Sequence, residues 1–213
     1  MTVFLLLWPC CIWAADAQKD LADAVALIGP ERNWNNQTVV KKLRDIRLNY
    51  SQTSQAVDAT ALLALCLTQI PGDHAEETFS LCDEVQRKAP RSWQVWVANI
   101  ARMATWGLRQ GENQKTLDAA LVALTQTNGI ELSRNPDPIL KPLMDQLPPA
   151  PTDFTDQIDA AICQQALILG QYKLGTEHLD RIANPQLKAF GERCMARYIR
   201  EHPNEAKKHK WGQ

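Results

Sequence analysis

The 213-residue chain is poor in several features on which whole classes of protein depend. It has no apolar run of the roughly 20 residues that a membrane-spanning helix needs. It has no basic excess, since 23 Lys and Arg stand against 24 Asp and Glu. Nucleic-acid binders need a basic face for phosphates. The short basic runs Lys41, Lys42, Arg44, Arg47 and Lys207, Lys208, His209, Lys210 read as solvated helix surface or terminus. No segment alternates apolar and polar residues between hairpin turns, so no strand is expected. There is no CxxC pair with a matching His spacing for structural zinc. HExxH, GxSxG and a Gly-rich phosphate loop are also missing. Neither a metal nor a cofactor is therefore expected.

What the chain does have begins at its start. Residues 3–14 form an apolar run of about a dozen residues, the length of a signal-peptide core. Ala15-Asp16-Ala17 follows, with small residues one and three places before a cut after Ala17. Residues 1–17 are read as a cleaved signal peptide, although no Lys or Arg precedes the apolar run. A lipid anchor fits less well, because bulky Trp8 and rigid Pro9 stand just before Cys10 and Cys11. Losing residues 1–17 removes only Asp16 among the charged residues, which leaves a formally neutral chain. The expected location is the periplasm or the secreted space, with no transmembrane segment after cleavage.

Beyond the leader, Pro and Gly mark the boundaries. Pro30, Pro71, Pro90, Pro185 and Pro203 each separate stretches rich in Ala, Leu, Gln, Glu, Lys and Arg, all good helix formers. Helices are expected over 20–28, 38–49, 54–69, 73–88, 92–110, 113–127, 155–172, 176–183 and 185–201. Asp73 and Glu76 have capping-box spacing, and Gly111 is placed to end the helix before it. Six further prolines crowd into a connection at 129–153. It divides a helical part at 18–128 from another at 154–213. The fold class is all-α, built from antiparallel helix pairs.

Helix starts near 54 and 90 lie about 36 residues apart, and those near 154 and 185 about 31 apart. Helical-hairpin solenoids repeat on this scale. With Gly111 between two helices, Ala104, Ala120 and Ala123 fall on tetratricopeptide packing positions. Thr116 stands where Ala is usual, and Gly107 where an aromatic is usual. With Gly72 in the same role, Ala61, Ala64 and Leu65 fit, while Glu77 and Glu84 replace small residues and Pro90 lies one place late. The chain resembles a degenerate tetratricopeptide-like array over about 54–128, resuming over 153–202. An irregular helical bundle is the other arrangement these positions allow.

Four cysteines follow the leader: Cys66, Cys82, Cys163 and Cys194. An even number in an exported protein suggests two disulfides. Cys66 lies about 6 residues before Gly72 and Cys82 about 10 after it, so their depths from the turn differ by about one helical turn. Cys163 and Cys194 each lie about 9 residues into their helices, a match in depth that suits parallel neighbours. The pairs Cys66–Cys82 and Cys163–Cys194 are expected. Free thiols buried as small apolar groups are the alternative.

The aromatic-rich helix supplies the candidate partner-binding residues. Trp93 and Trp96 share a face with Ile100, Met103 and Gly107, while Trp106 points elsewhere. Such a helix packs in a core or lends its indoles to a concave groove. His74 with Glu76 and Glu77 forms no metalloprotease pattern, and His178, beside Glu177 and Asp180 in a short polar helix, is expected to face solvent. Asn36-Gln37-Thr38 and Asn49-Tyr50-Ser51 match the glycosylation sequon. The expected function is an exported helical scaffold or adaptor that binds another protein or a peptide. The second reading is an exported helical enzyme or effector acting on an envelope polymer or a host target.

Overall fold

In the computed structural model, residues 8–29, 33–90, 92–127 and 153–204 are described. The first seven residues, nearly all of the Pro-rich connection and the basic tail lie outside them. Among the described residues there is no strand, and nine α-helices account for the regular structure. They are α1 (Trp8–Ile28), α2 (Gln37–Asn49), α3 (Ser54–Leu67), α4 (Ala75–Lys88), α5 (Trp93–Ala104), α6 (Asn113–Thr127), α7 (Asp153–Ile168), α8 (Tyr172–Arg181) and α9 (Pro185–Glu201). No helix among the described residues is long and apolar enough to cross a membrane.

Local chemistry explains where the helices start and stop. Asn36 caps α2 by accepting from the Thr38 amide at 2.9 Å, and Thr53 caps α3 by accepting from Ala56 at 3.2 Å. Asn184 accepts from the amides of Gln186 and Leu187 ahead of α9, where Pro185 takes the first turn. Gly29 and Gly170 follow α1 and α7 with φ of 59° and 74°, a left-handed backbone that few other residues adopt without strain.

Several boundaries differ from the sequence expectation, among them the end of α7 at Ile168 rather than 172 and the start of α8 at Tyr172 rather than 176, with Gly170 making the break. α1 starts at Trp8 rather than at Asp20 and runs unbroken past Ala17, which is fully buried. The reason is periodicity: Ala17, Leu21, Ala24, Val25 and Ile28 form one apolar face. At α4, His74 occupies the N-cap position without a side-chain cap, and Asp73 accepts from Ala75 instead of closing a capping box. The aromatic-rich helix gives way to a π turn, Thr105–Arg109, before Gly111 ends it.

The described residues fall into two units, the first ending at Thr105 and the second beginning at Trp106. In the first, α3 is the central element. It packs on α1, α2, α4 and α5, and ten of its residues are buried. Each large aliphatic side chain taken from water there contributes roughly 1.5–3 kcal/mol. Gln94 of α5 donates to the buried Asp58 of α3 at 2.5 Å. α2 and α4 are joined by ion pairs, Arg44 to Glu77 at 2.8 Å and Arg47 to Glu84 at 2.6 Å. In the second unit α7 is central and packs on α6, α8 and α9. Adjacent helices pack as neighbours throughout each unit, an arrangement compatible with a helical repeat.

Candidate binding groove and the cluster beneath it

The second unit is held tightly because two helices approach α7 through glycine. A Cβ on Gly175 of α8 would meet Leu167 at 3.0 Å and the Cys163 carbonyl at 3.4 Å. On Gly191 of α9 it would stand 2.6 Å from Leu179 and 3.6 Å from the Cys163 Sγ. Cys163 therefore sits at the centre of the packing. Ala160, Leu167, Leu179, Ile182 and Tyr198 surround it, with Cys194 and Met195 packed against the same cluster.

Two carboxylates on α7 bind this assembly from inside. Asp156 accepts from the amides of Ala183 and Asn184 and so fixes the turn between α8 and α9. Asp159 accepts from Nδ1 of His178 at 2.5 Å, with both side chains almost fully buried. His178 does not face solvent as the sequence suggests. It lies on the face with Gly175, Leu179 and Ile182, and its polarity is satisfied by a carboxylate 19 residues away.

Above this core, α7 and α9 border a cavity of about 330 Å³. Leu167, Ile168 and Tyr198 give it apolar walls, and Ile168 is 55% exposed. Gln164, Arg197, Glu201 and His202 supply the polar wall, and Cys194 also borders it. The walls are pre-set. Arg197 Nε donates to Glu201 at 2.8 Å, which holds the Glu201 carboxyl below the usual range. The His202 ring stacks on Tyr198 with centroids 4.2 Å apart. An open cleft with an exposed aliphatic side, a fixed aromatic and charged groups on the other side can take an apolar side chain together with its polar backbone.

The sequence candidates fall in other settings. Trp96 is 1% exposed, and its burial gives it a packing role in the core of the first unit. Trp93 is half-buried on the first turn of α5. Trp106 belongs to the second unit, where Lys115 Nζ stands 4.5 Å from its ring centroid. Cys66, Cys82, Cys163 and Cys194 are free thiols in this structure. Cys66 and Cys82 are buried on α3 and α4, and Cys82 Sγ donates to the Ala98 carbonyl of α5 at 3.1 Å. Burial pushes the Cys66 thiol up to about 12 and that of Cys82 to about 11.

A second, wider cavity lies at the start of α4, bordered by Asp73, His74, Ala75, Glu76, Glu77 and Ser80. His74 bonds the Pro71 carbonyl and Glu77 is paired with Arg44, so two of its polar groups are already engaged. Among the described residues no group of three or more His, Cys, Asp or Glu could hold a metal ion.

The groove residues were missed in the sequence because they come from two helices about 30 positions apart. The one available signal was Ile168, an apolar residue off the buried face of α7. No protein-family model, curated protein or solved structure matches the chain.

Proposed function

We propose that the chain is an exported helical-repeat scaffold that holds a short segment of another protein. The observation that carries this reading is the groove between α7 and α9, where half-exposed Ile168 faces a polar wall already organised by Arg197, Glu201 and His202. Its occupant is a peptide with one large apolar side chain, whose backbone groups meet Gln164 and the charged wall. Export is supported by the apolar run at 3–14 and the small residues before the cut after Ala17.

The tetratricopeptide-like reading draws support from two features. In the first unit α3 packs on α1 and α5 as well as on α2 and α4, as a stacked hairpin would. In the second, Gly107 approaches Thr116 closely, with 3.4 Å from a Cβ position to Oγ1. The small residue expected on the second helix is thus replaced by one on the first.

Selection of a displayed random-peptide library on the purified full chain tests the proposal. The expected result is a family of peptides sharing one large apolar residue, whose binding is lost in Ile168→Lys. Failure to enrich any sequence, or enrichment insensitive to Ile168→Lys, would count against it.

A further inference from the structure

Cys66, Cys82, Cys163 and Cys194 are not equivalent in their surroundings. We infer that Cys163 and Cys194 form one disulfide that ties α7 to α9, while Cys66 and Cys82 remain buried thiols. Three observations support the first pair. The Cys163 Sγ lies against Gly191, and Cys194 follows Gly191 by three residues, so both occupy the same face of α9. Gly191 also brings the α9 backbone into van der Waals contact with the Cys163 sulfur, 3.6 Å from its Cβ position, on the side where Cys194 lies; a disulfide needs its two Cα atoms about 4.4–6.8 Å apart. Finally, Cys163 is fully buried while Cys194 is half-buried and borders the groove. One thiol can thus meet an oxidant and the other can resolve the product.

The chemistry balances with a disulfide oxidant such as glutathione disulfide. The Cys194 thiol loses its proton, and its sulfur attacks the oxidant. This forms a mixed disulfide and releases one glutathione thiolate. The Cys163 thiol then loses its proton, and its sulfur attacks the Cys194 sulfur, releasing the second. Two electrons pass to the oxidant and two protons end on the two glutathione thiols. Burial raises the Cys163 thiol to about 11, and burial raises that of Cys194 against the lowering effect of Arg193 and Arg197. A thiolate is disfavoured at both places, which favours the neutral crosslink once formed.

The second pair differs. Cys82 directs its S–H at the Ala98 carbonyl of α5, not at α3, where Cys66 lies. Both are fully buried in the first unit, and neither borders the cavity at the start of α4.

The crosslink would join the two walls of the proposed peptide groove. It does not depend on export, because it can be formed in a tube. Purified full-length chain is incubated in a glutathione redox buffer, quenched with acid, alkylated under denaturing conditions and mapped by peptide mass. The expected product is a linked peptide pair containing Cys163 and Cys194, with Cys66 and Cys82 both alkylated. Cys194→Ser abolishes the linked pair and leaves Cys163 alkylated. A Cys66–Cys82 link, a map with Cys66, Cys82, Cys163 and Cys194 all alkylated, or a stable glutathione adduct on Cys194 with Cys163 free would each overturn the inference. A chain that crosslinks as described but binds no peptide would instead overturn the groove reading alone.

Discussion

His178 of α8 and Asp159 of α7 meet inside the second unit, Nδ1 to Oδ1 at 2.5 Å, with neither side chain reaching solvent. Removing one partner leaves the other polar group buried and unpaired, which typically costs about 1–3 kcal/mol. His178→Ala and Asp159→Ala should each lower the urea midpoint strongly. The double variant should cost much less than the sum of the two. Additive losses in that cycle would show that the two side chains are not coupled.

Gly191→Ala adds a methyl group where only 2.6 Å separates its position from Leu179. Overpacking of this kind costs about 1–3 kcal/mol, which exceeds the helix propensity that alanine gains. The thermal midpoint should fall. A rise would mean that the Leu179 side chain turns aside without loss of packing, so that Gly191 is not required there.

The tryptophans should separate by burial. Trp96→Ala is expected to cost about 3–5 kcal/mol as a large core truncation. Trp106→Ala loses a partly exposed ring and a cation contact with Lys115, an interaction of roughly 0.5–1 kcal/mol at exposed sites. Denaturant titration of both variants checks the ranking, and equal losses would contradict it.

Glu84 accepts from both Arg47 and Lys88. Partial burial acts to raise its carboxyl, but these two cations prevail and hold it below its ordinary 4.5. A carboxylate with a depressed folded value stabilises above the unfolded value, and the benefit is lost as pH falls through the folded one. Since the Arg47 and Lys88 side chains remain about a third exposed and water screens them, the pairing contributes about 0.5–1 kcal/mol at neutral pH. The gap between wild type and Glu84→Gln should therefore close as the pH of the denaturation series drops below 4.5. A gap that is constant with pH would exclude the ion pairs as its cause.

Much of the fold is legible in the sequence because prolines and glycines punctuate helix-forming stretches. Gly29 and Gly111 adopt the left-handed backbone that ends a helix, as their positions suggest, while Gly170 does so inside the stretch expected to be helical over 155–172. The apolar periods of α2, with Val39, Val40, Leu43 and Ile46, and the dense apolar run of α3 reappear as buried faces. The start of α1 is less legible, since the apolar run at 3–14 reads as a leader while α1 begins at Trp8. His178 was misread because its short helix is polar overall. The overlooked clue was Gly175, three residues before it, a small residue marking the face that presses on α7. The groove could not be read at all, because Ile168 and Arg197 are brought together only by the packing of α7 on α9.

Calorimetric titration of a selected peptide into three forms of the chain tests the groove most directly: wild type, Ile168→Lys, and Leu48→Lys. Leu48 is also exposed and apolar, at 67%, but lies on α2 in the first unit. The groove reading predicts at least a tenfold weaker affinity for Ile168→Lys, about 1.4 kcal/mol, with Leu48→Lys unchanged. Equal affinity in all three, or equal loss in both variants, would contradict it.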